Sequence, residues 1–423
     1  MITVGHQRAS RKARWRVWAR AGIAAGLLLS ALTDGVVLVS LVQAPVCDTS
    51  APPVAHPVAS RILPTPVTGR PSAIAMAEND ESLFVSLESR ASGPGGIQVF
   101  HRARDGLRSV GIIPLRSGAS GLALSADGRA LLAALEDAVA LLDVARASTG
   151  DPSSLLGYAS TGPRAGTFSV TTAGSRYVLT ADRAAGRVTV LNLLRMEYGD
   201  LGPSVHLGTI DVDMAPSGLA ASPDGRYLYV VSQVQRPVMS FWPSDRIYGT
   251  LTQTGLLRRA GTLSVIDMKR VELDPARAVV ARVAAGCQPV RVAASPDGKI
   301  VWVAARQSNE LLAFSTDELL RREGVAPLAR VPVAASPVGL RLLRGGRFAL
   351  VAGSTGQWDS GAPETVSVVE TSAALAGRRA VRTSVIVGGF SGDIGVTADQ
   401  RMAYVANMET SALTPLDLAD LLG

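Results

Sequence analysis

From residue 61 onward, apolar residues come in short runs bounded by Gly, Pro, Asp and Ser, and the runs recur at a nearly constant distance. The clearest copies are PSGLAASPDGRYLYVVSQ from Pro216 and PVRVAASPDGKIVWVAAR from Pro289. Each predicts a short strand, a tight turn and a second strand. In SPDG the proline presets φ, the aspartate can bond its own backbone, and the glycine takes a positive φ without steric cost. Weaker copies begin at Pro71, Ala119, Gly166, Pro337 and Ser391 and align without gaps between first strand and turn. The equivalent turn positions are Asn79, Asp127, Gly174, Asp224, Asp297, Gly345 and Asp399, spaced 48, 47, 50, 73, 48 and 54 residues apart.

A third apolar run follows every copy (GIQVF, AVALLDV, RVTVLNL, TLSVID, ELLAFS, TVSVVE, ALTPLDL), and a fourth follows six of them. The seventh copy has no fourth run before Gly423, while RILPTPV at 61–67 is an orphan strand ahead of the first. An all-β seven-bladed β-propeller over 61–423, with velcro closure by the N-terminal strand, uses every run and leaves no open edge. The pattern G-x-x-P, then SPDG-R/K, then YVVS, VWVAA or AYVAN, then SVID resembles the YVTN-type, lactonase-like propeller repeat. The resemblance implies the fold. It leaves function open, because that superfamily holds lactone hydrolases, subunits of periplasmic redox enzymes and surface-layer proteins.

Residues 21–44 break the β pattern with 24 mostly apolar residues interrupted by Asp34. As a helix this run would reach about 36 Å, enough for a hydrocarbon core of about 30 Å. Residues 1–20 carry Arg8, Arg11, Lys12, Arg14, Arg16 and Arg20 and no acid, which orients such a segment with 1–20 in the cytoplasm and everything after residue 44 outside. The chain therefore reads as a basic tail (1–20), a transmembrane anchor or signal segment (21–44), a proline-rich tether (45–60) and the propeller. The expected location is membrane-anchored or secreted, with the propeller outside the cytoplasm.

Charge changes the picture once its position is counted. The formal net charge is +7 with a pI near 9.8, but the first twenty residues hold six of those charges, so the globular part is close to neutral. No DNA or RNA partner is expected, since a phosphate backbone needs a basic stripe. The composition, 47% hydrophobic and 18% charged, excludes a disordered chain.

Candidate chemistry is sparse. His6, His56, His101 and His206 fall in tail, tether and peripheral strands, so no histidine metal site is expected; no nucleophile elbow, dinucleotide fingerprint or P-loop appears, and no cofactor is implied. The strand order puts the SPDG turns on the bottom face and the second-to-third-strand loops on top. Blade four's top loop carries the largest insertion, 235–261, with Arg236, Trp242, Arg246 and Tyr248, and blade six's carries Trp358 and Asp359. Aromatic and charged residues over a central funnel suit ligand or partner contact, while a plug with its own small core explains them equally. Arg291 and Arg341 interrupt otherwise small, apolar inner strands. They are either binding groups or members of a salt bridge lining the channel. Cys47 and Cys287 lie on the oxidising side in this topology; the 13 residues between Cys47 and Arg61 reach about 43 Å, so a clasp from tether to ring is feasible, as are two separate thiols. The expected function is that of a membrane-tethered, non-catalytic binding or scaffold protein of the cell envelope, with an envelope protein or small molecule at the top face; the alternative is a lactonase-like hydrolase acting on a cyclic ester in the funnel.

Overall fold

The computed structural model describes residues 57–60, 62–88, 95–104, 106–235, 260–321, 324–333, 335–354, 364–389 and 391–422. They form seven antiparallel sheets, one per repeat. From the inner strand outward, blade one is Arg70–Met76, Ser82–Glu88, Gly96–Ala103 and Gly106–Pro114; blade two is Gly121–Leu124, Ala130–Leu135, Ala138–Asp143 and Leu155–Ser160. Blade three is Thr167–Ala173, Tyr177–Asp182, Arg187–Asn192 and His206–Asp211; blade four is Met214–Ala221, Tyr227–Val234, Thr262–Asp267 and Val279–Ala284. Blade five is Pro289–Ala294, Ile300–Ala305, Glu310–Ser315 and Ala329–Pro332; blade six is Pro337–Leu343, Phe348–Gly353, Thr365–Glu370 and Val381–Ile386. Blade seven has Ser391–Val396, Met402–Asn407 and Ala412–Asp417 from its own repeat, and Thr65–Pro66 as its outermost strand. That strand runs antiparallel, with Thr65 opposite Leu413 and Pro66 opposite Ala412.

The middle strands of each blade are buried on both faces, which is why Ala130–Leu135 and Phe348–Gly353 are unbroken apolar runs rather than alternating ones. Each fully buried Leu, Val or Phe there contributes roughly 1.5–3 kcal/mol. The cores lie between neighbouring blades. Trp302 of blade five packs with Leu340 and Val351 of blade six, and Tyr404 and Leu413 of blade seven pack with Leu83, Val85 and Phe100 of blade one. The last contact makes the ring continuous.

Three local features differ from the sequence reading. Val58–Ala59, at the end of the tether, adds a fifth, parallel strand to blade six against Val385 and Ile386. Short helices follow the third strand in six blades: Val144–Ser148, Leu193–Glu197, Met268–Leu273, Thr316–Arg321, Thr371–Leu375 and Leu418–Leu422. Five or six residues are too few to display a helical period, although the final Asp or Asn of the third strand was the available signal. Asp143 accepts from Arg146 N–H (2.9 Å), Asn192 from Arg195 N–H (3.1 Å) and Asp267 from Lys269 N–H (2.9 Å). Finally, Ala173 faces Tyr177 across blade three's turn, whereas Ser222 faces Tyr227 in blade four. Blade three's turn is therefore one residue shorter, and its inner strand is shifted by one from the ungapped alignment.

The SPDG turns repeat one hydrogen-bond set. Ser222 Oγ donates to Asp224 Oδ1 (2.5 Å) and accepts from Tyr227 N–H (2.9 Å), while Arg226 N–H donates to the same carboxylate (3.0 Å). Ser125/Asp127, Ser295/Asp297 and Thr397/Asp399 reproduce it. The hydroxyl bond first, then the backbone N–H, holds all four carboxyls below their ordinary value. A pKa lower in the folded than in the unfolded chain gives stability that is present above the unfolded value, about 3.9, and lost as pH falls through the folded one. Thermal stability is therefore expected to drop between pH 5 and pH 3. Changing Asp127, Asp224, Asp297 and Asp399 together to Asn should flatten that drop, and melting curves at half-unit pH steps check it; an unchanged slope would place the acid sensitivity elsewhere.

Candidate functional site

The repeat register locates the channel residues. Six inner strands carry a bulge near their top end, at Pro71/Ile74, Thr167/Ser169, Pro216/Gly218, Pro289/Arg291, Pro337/Gly339 and Ser391/Ile394. In three of them a left-handed residue precedes the proline: Ala215 (φ 53°), Gln288 (φ 47°) and Ser336 (φ 52°). Such backbone is costly for a residue with a side chain, and it turns the crossing chain sharply into the inner strand, where the bulge re-aims the next side chains.

Just below the bulges the seven strands contribute, in blade order, Ala73, Gly121, Ser169, Gly218, Arg291, Gly339 and Asp393. Two residues further down come Ala75, Ala123, Thr171, Ala220, Ala293, Arg341 and Gly395. Small residues fill both levels except in blades five, six and seven. Space forces some of this: a Cβ on Gly218 would lie 2.8 Å from Val290 O and 3.0 Å from the Arg291 Cα. The long side chains thus form one cluster on one side of the axis.

Within that cluster the charges are unequally matched. Arg341 NH2 lies 3.3 Å from Asp393 Oδ1 and 3.3 Å from Oδ2, and it and the Ile74 N–H of blade one (3.2 Å) both donate to Oδ2, while the buried Oδ1 accepts no hydrogen bond. Arg291 has a single long bond, to Val290 O at 3.4 Å. Its guanidinium stands 6.0 Å from the centre of the Phe168 ring on blade three, with the side-chain-free Gly218 in between. Burial lowers the pKa of Arg291; the Asp393 charge opposes this and the Arg341 charge adds to it. Arg341 therefore takes the structural option open to it in the sequence, and Arg291 does not.

The rim follows the same register. Residues at the top ends of the second strands, in the same register, are Glu88, Glu136, Arg183, Gln233, Arg306, Ser354 and Met408, acidic over blades one and two and basic over blades three and five. The Arg183 guanidinium also lies over the Phe168 ring, 5.2 Å from its centre, and donates to Gln233 Oε1 (3.2 Å). Burial, and then the charge of Arg183, lower the pKa of Arg306, so the two rim cations feel each other across blade four.

Of the residues singled out from sequence, Arg291 and Arg341 come together in the channel. Arg236, Trp242, Arg246, Tyr248, Trp358, Asp359 and Cys47 lie outside the described residues. Cys287, buried at the crossing into blade five, is disulfide-bonded. Sequence reasoning missed Asp393, Phe168, Arg183 and Arg306. Asp393 could have been found by stacking the inner strands, where it and Arg291 stand alone against five small residues; Phe168 could not, because blade three is out of register. His101 bonds the Ser148 carbonyl from blade one's third strand (2.7 Å), and among the described residues no His, Cys, Asp and Glu cluster can hold a metal. Grooves of about 530 and 520 Å³ between outer strands of blades five and six and of blades six and seven lie away from these charges.

A closed ring of seven four-stranded blades around a channel with one charged side defines a seven-bladed β-propeller. Residues 60–357 match the lactonase seven-bladed β-propeller family, and the chain belongs to it. No curated protein matches the sequence. Solved structures with the same architecture include hydrazine synthase of Kuenenia stuttgartiensis (TM-score 0.62, 17% identity, 84% of this chain and 97% of that one) and the β-propeller domain of Myceliophteria thermophila Cps50 (Swd1) (0.58, 11%, 84% and 100%). A chain of a mitotic checkpoint complex is similar too (0.62, 12%, 91% and 99%). At such identities the likeness is one of fold.

Proposed function

We propose that this protein is a membrane-tethered propeller of the cell envelope that binds a partner or small molecule at its top face and channel without chemical turnover. The observation that carries the non-catalytic reading is the state of Asp393. Hydrolysis of a cyclic ester needs a base free to activate water, and this channel carboxylate is ion-paired with Arg341 and hydrogen-bonded at Oδ2 by Arg341 and the Ile74 amide, which leaves Oδ1 alone without a hydrogen bond. The described histidines, His101 and His206, sit on the third strand of blade one and the outer strand of blade three. Membership of a family named for lactonases supports the alternative, a hydrolase acting in the same funnel.

The tethering part rests on sequence: six cations ahead of a 24-residue apolar run. Among the described residues no helix is long and apolar enough to cross a membrane. A clasp between Cys47 and Cys287 would fit an oxidising compartment and hold the tether to the ring, and Thr65–Pro66 would act as the velcro that closes it. Incubating the full chain with glucono-δ-lactone and following acid release tests the catalytic question. The expected rate equals the buffer background; a faster rate abolished by Asp393→Asn would replace this reading with the hydrolase. Labelling whole cells with a membrane-impermeant thiol reagent, before and after reduction, tests the location: label at Cys47 after reduction is expected, with buried Cys287 unlabelled, and label at Cys47 only after the cells are opened would put the propeller inside.

A further inference from the structure

We propose that the groove between the outer strands of blades five and six is a docking site for a segment of a partner protein that carries an acidic residue, then a proline-led turn, then a small or apolar side chain. The site lies on the circumference of the ring, apart from the top face and the channel.

The repeat supplies the first argument. The stretch that links a blade's third strand to its fourth packs against the outer strand of the preceding blade, and in blades two, three and four it contains a tight 3-10 turn opened by proline: Pro152–Ser154, Pro203–Val205 and Pro275–Arg277. These turns fill the space between blades. Ser154 and Val205 are buried, and a Cβ on Gly208 of blade three's outer strand would lie 2.9 Å from Pro275 Cγ. Blade six makes the link with ten residues, 371–380, where blades two and four use eleven, 144–154 and 268–278, and it has no proline there. A groove of about 530 Å³ stays open, with Leu328, Val331, Ala374 and Ala380 among its walls. Leu328 is 47% exposed, so apolar surface remains for a partner to cover. Pro332 on the blade-five side has no N–H to give an added strand, and a turn of the kind used elsewhere in the ring suits this edge better.

Charge is the second argument. In blades two and four the proline follows an aspartate, Asp151 or Asp274. Asp151 comes directly after Gly150 (φ 74°), and the matching Gly377 of blade six (φ 66°) is followed by Arg378 and Arg379. Both arginines are exposed at the groove, and among the described residues neither has an ion pair, whereas Arg330 on the other lip is held by Glu310 at 3.0 Å. The sign is reversed where the proline is missing, so an acidic residue ahead of a proline meets its complement in this groove. The chain's own turns are already packed in their blades, and the occupant therefore comes from another protein.

The probe is a capped fluorescent peptide with the sequence of residues 149–157, TGDPSSLLG, titrated with the full chain and read by anisotropy. Saturable binding is expected. Arg378→Glu combined with Arg379→Glu should weaken it by about tenfold, and Leu328→Ser by about threefold, with melting temperatures near that of wild type. Peptides carrying Asp151→Arg or Pro152→Gly should bind severalfold more weakly, since one reverses the charge and the other loosens the turn. No saturable binding, wild-type affinity in both the Arg378/Arg379 and the Leu328 variants, or equal binding of a proline-free polyglutamate peptide would each overturn the proposal. Tighter binding by a full chain carrying Pro52→Gly and Pro53→Gly would give the groove to the chain's own proline-rich tether, and would overturn it too. None of these readouts depends on the channel or on turnover, so the lactone assay can fail or succeed independently.

Discussion

A chain beginning at residue 69 is expected to be less stable than one beginning at residue 57 by about 5 kcal/mol, read as a lower midpoint in urea. The segment removed is short but connects two blades. Thr65 and Pro66 pair with Leu413 and Ala412, Val67 N–H donates to Ser411 O at 2.8 Å, and Thr68 N–H donates to Gln98 Oε1 at 2.8 Å in blade one. Val67 is buried among Leu83, Val85 and Leu87 of blade one and Tyr404, Ala406 and Leu413 of blade seven. Burying the valine contributes about 2 kcal/mol, and each backbone bond about 1 kcal/mol. Deletion also exposes the edge of Ala412–Asp417, a row of unpaired main-chain groups ready to pair with another chain, so the shorter protein should aggregate on heating. A stability difference below about 1 kcal/mol would mean that blades seven and one hold the ring without the strand.

How much of this was legible beforehand depends on whether the information was periodic. The SPDG-type turns specify themselves: Ser222, Asp224 and Gly225 each have a mechanical task, three copies repeat the Ser, Asp and Gly, and the fourth performs it with Thr397, Asp399 and a left-handed Gln400. Blade number and strand order followed from them. The one-turn helices were hidden because their signal is a single capping residue, Asp143 or Asp267, at the end of a strand. Blade three's register was hidden because a turn of GSR in place of PDGR leaves the hydrophobic pattern intact while shifting Phe168 above its neighbours' level. In the channel, Arg291 and Arg341 stood out as charged residues in small, apolar strands. Their different fates did not, since they depend on which blade supplies the opposite charge. Asp393 stands one level above Arg341 and one blade along, 52 residues away in the chain, and only the ring geometry brings the pair to 3.3 Å while leaving Arg291 beside a phenyl ring.

Asp182→Ala is expected to cost about 3–4 kcal/mol, because this fully buried carboxylate is the centre of a hydroxyl cage at the top of blade three. Thr167 Oγ1 (2.9 Å) and Thr180 Oγ1 (2.8 Å) donate to its Oδ1, Thr189 Oγ1 donates to Oδ2, and Arg187 Nε lies 3.6 Å away. Alanine would leave three buried hydroxyls and a cation without their acceptor, each costing part of its desolvation. Asparagine fills the same volume and lets the hydroxyls rotate to bond its amide, so Asp182→Asn should cost less. The pH dependence separates charge from shape. Burial pushes the Asp182 pKa up, and the three threonine bonds with Arg187 offset only part of that rise. A folded pKa above the unfolded value means that the stabilising contribution is complete below about pH 3.9 and fades as pH rises through the folded pKa. Since asparagine does not titrate, the stability gap between wild type and Asp182→Asn should narrow from pH 4 to pH 7, opposite in sign to the four turn aspartates. Urea midpoints of both proteins across that range measure it. A gap that widens would show that Asp182 is held as a charged partner of Arg187, and the cage would then belong to the cationic arc above the channel rather than to the packing of blade three.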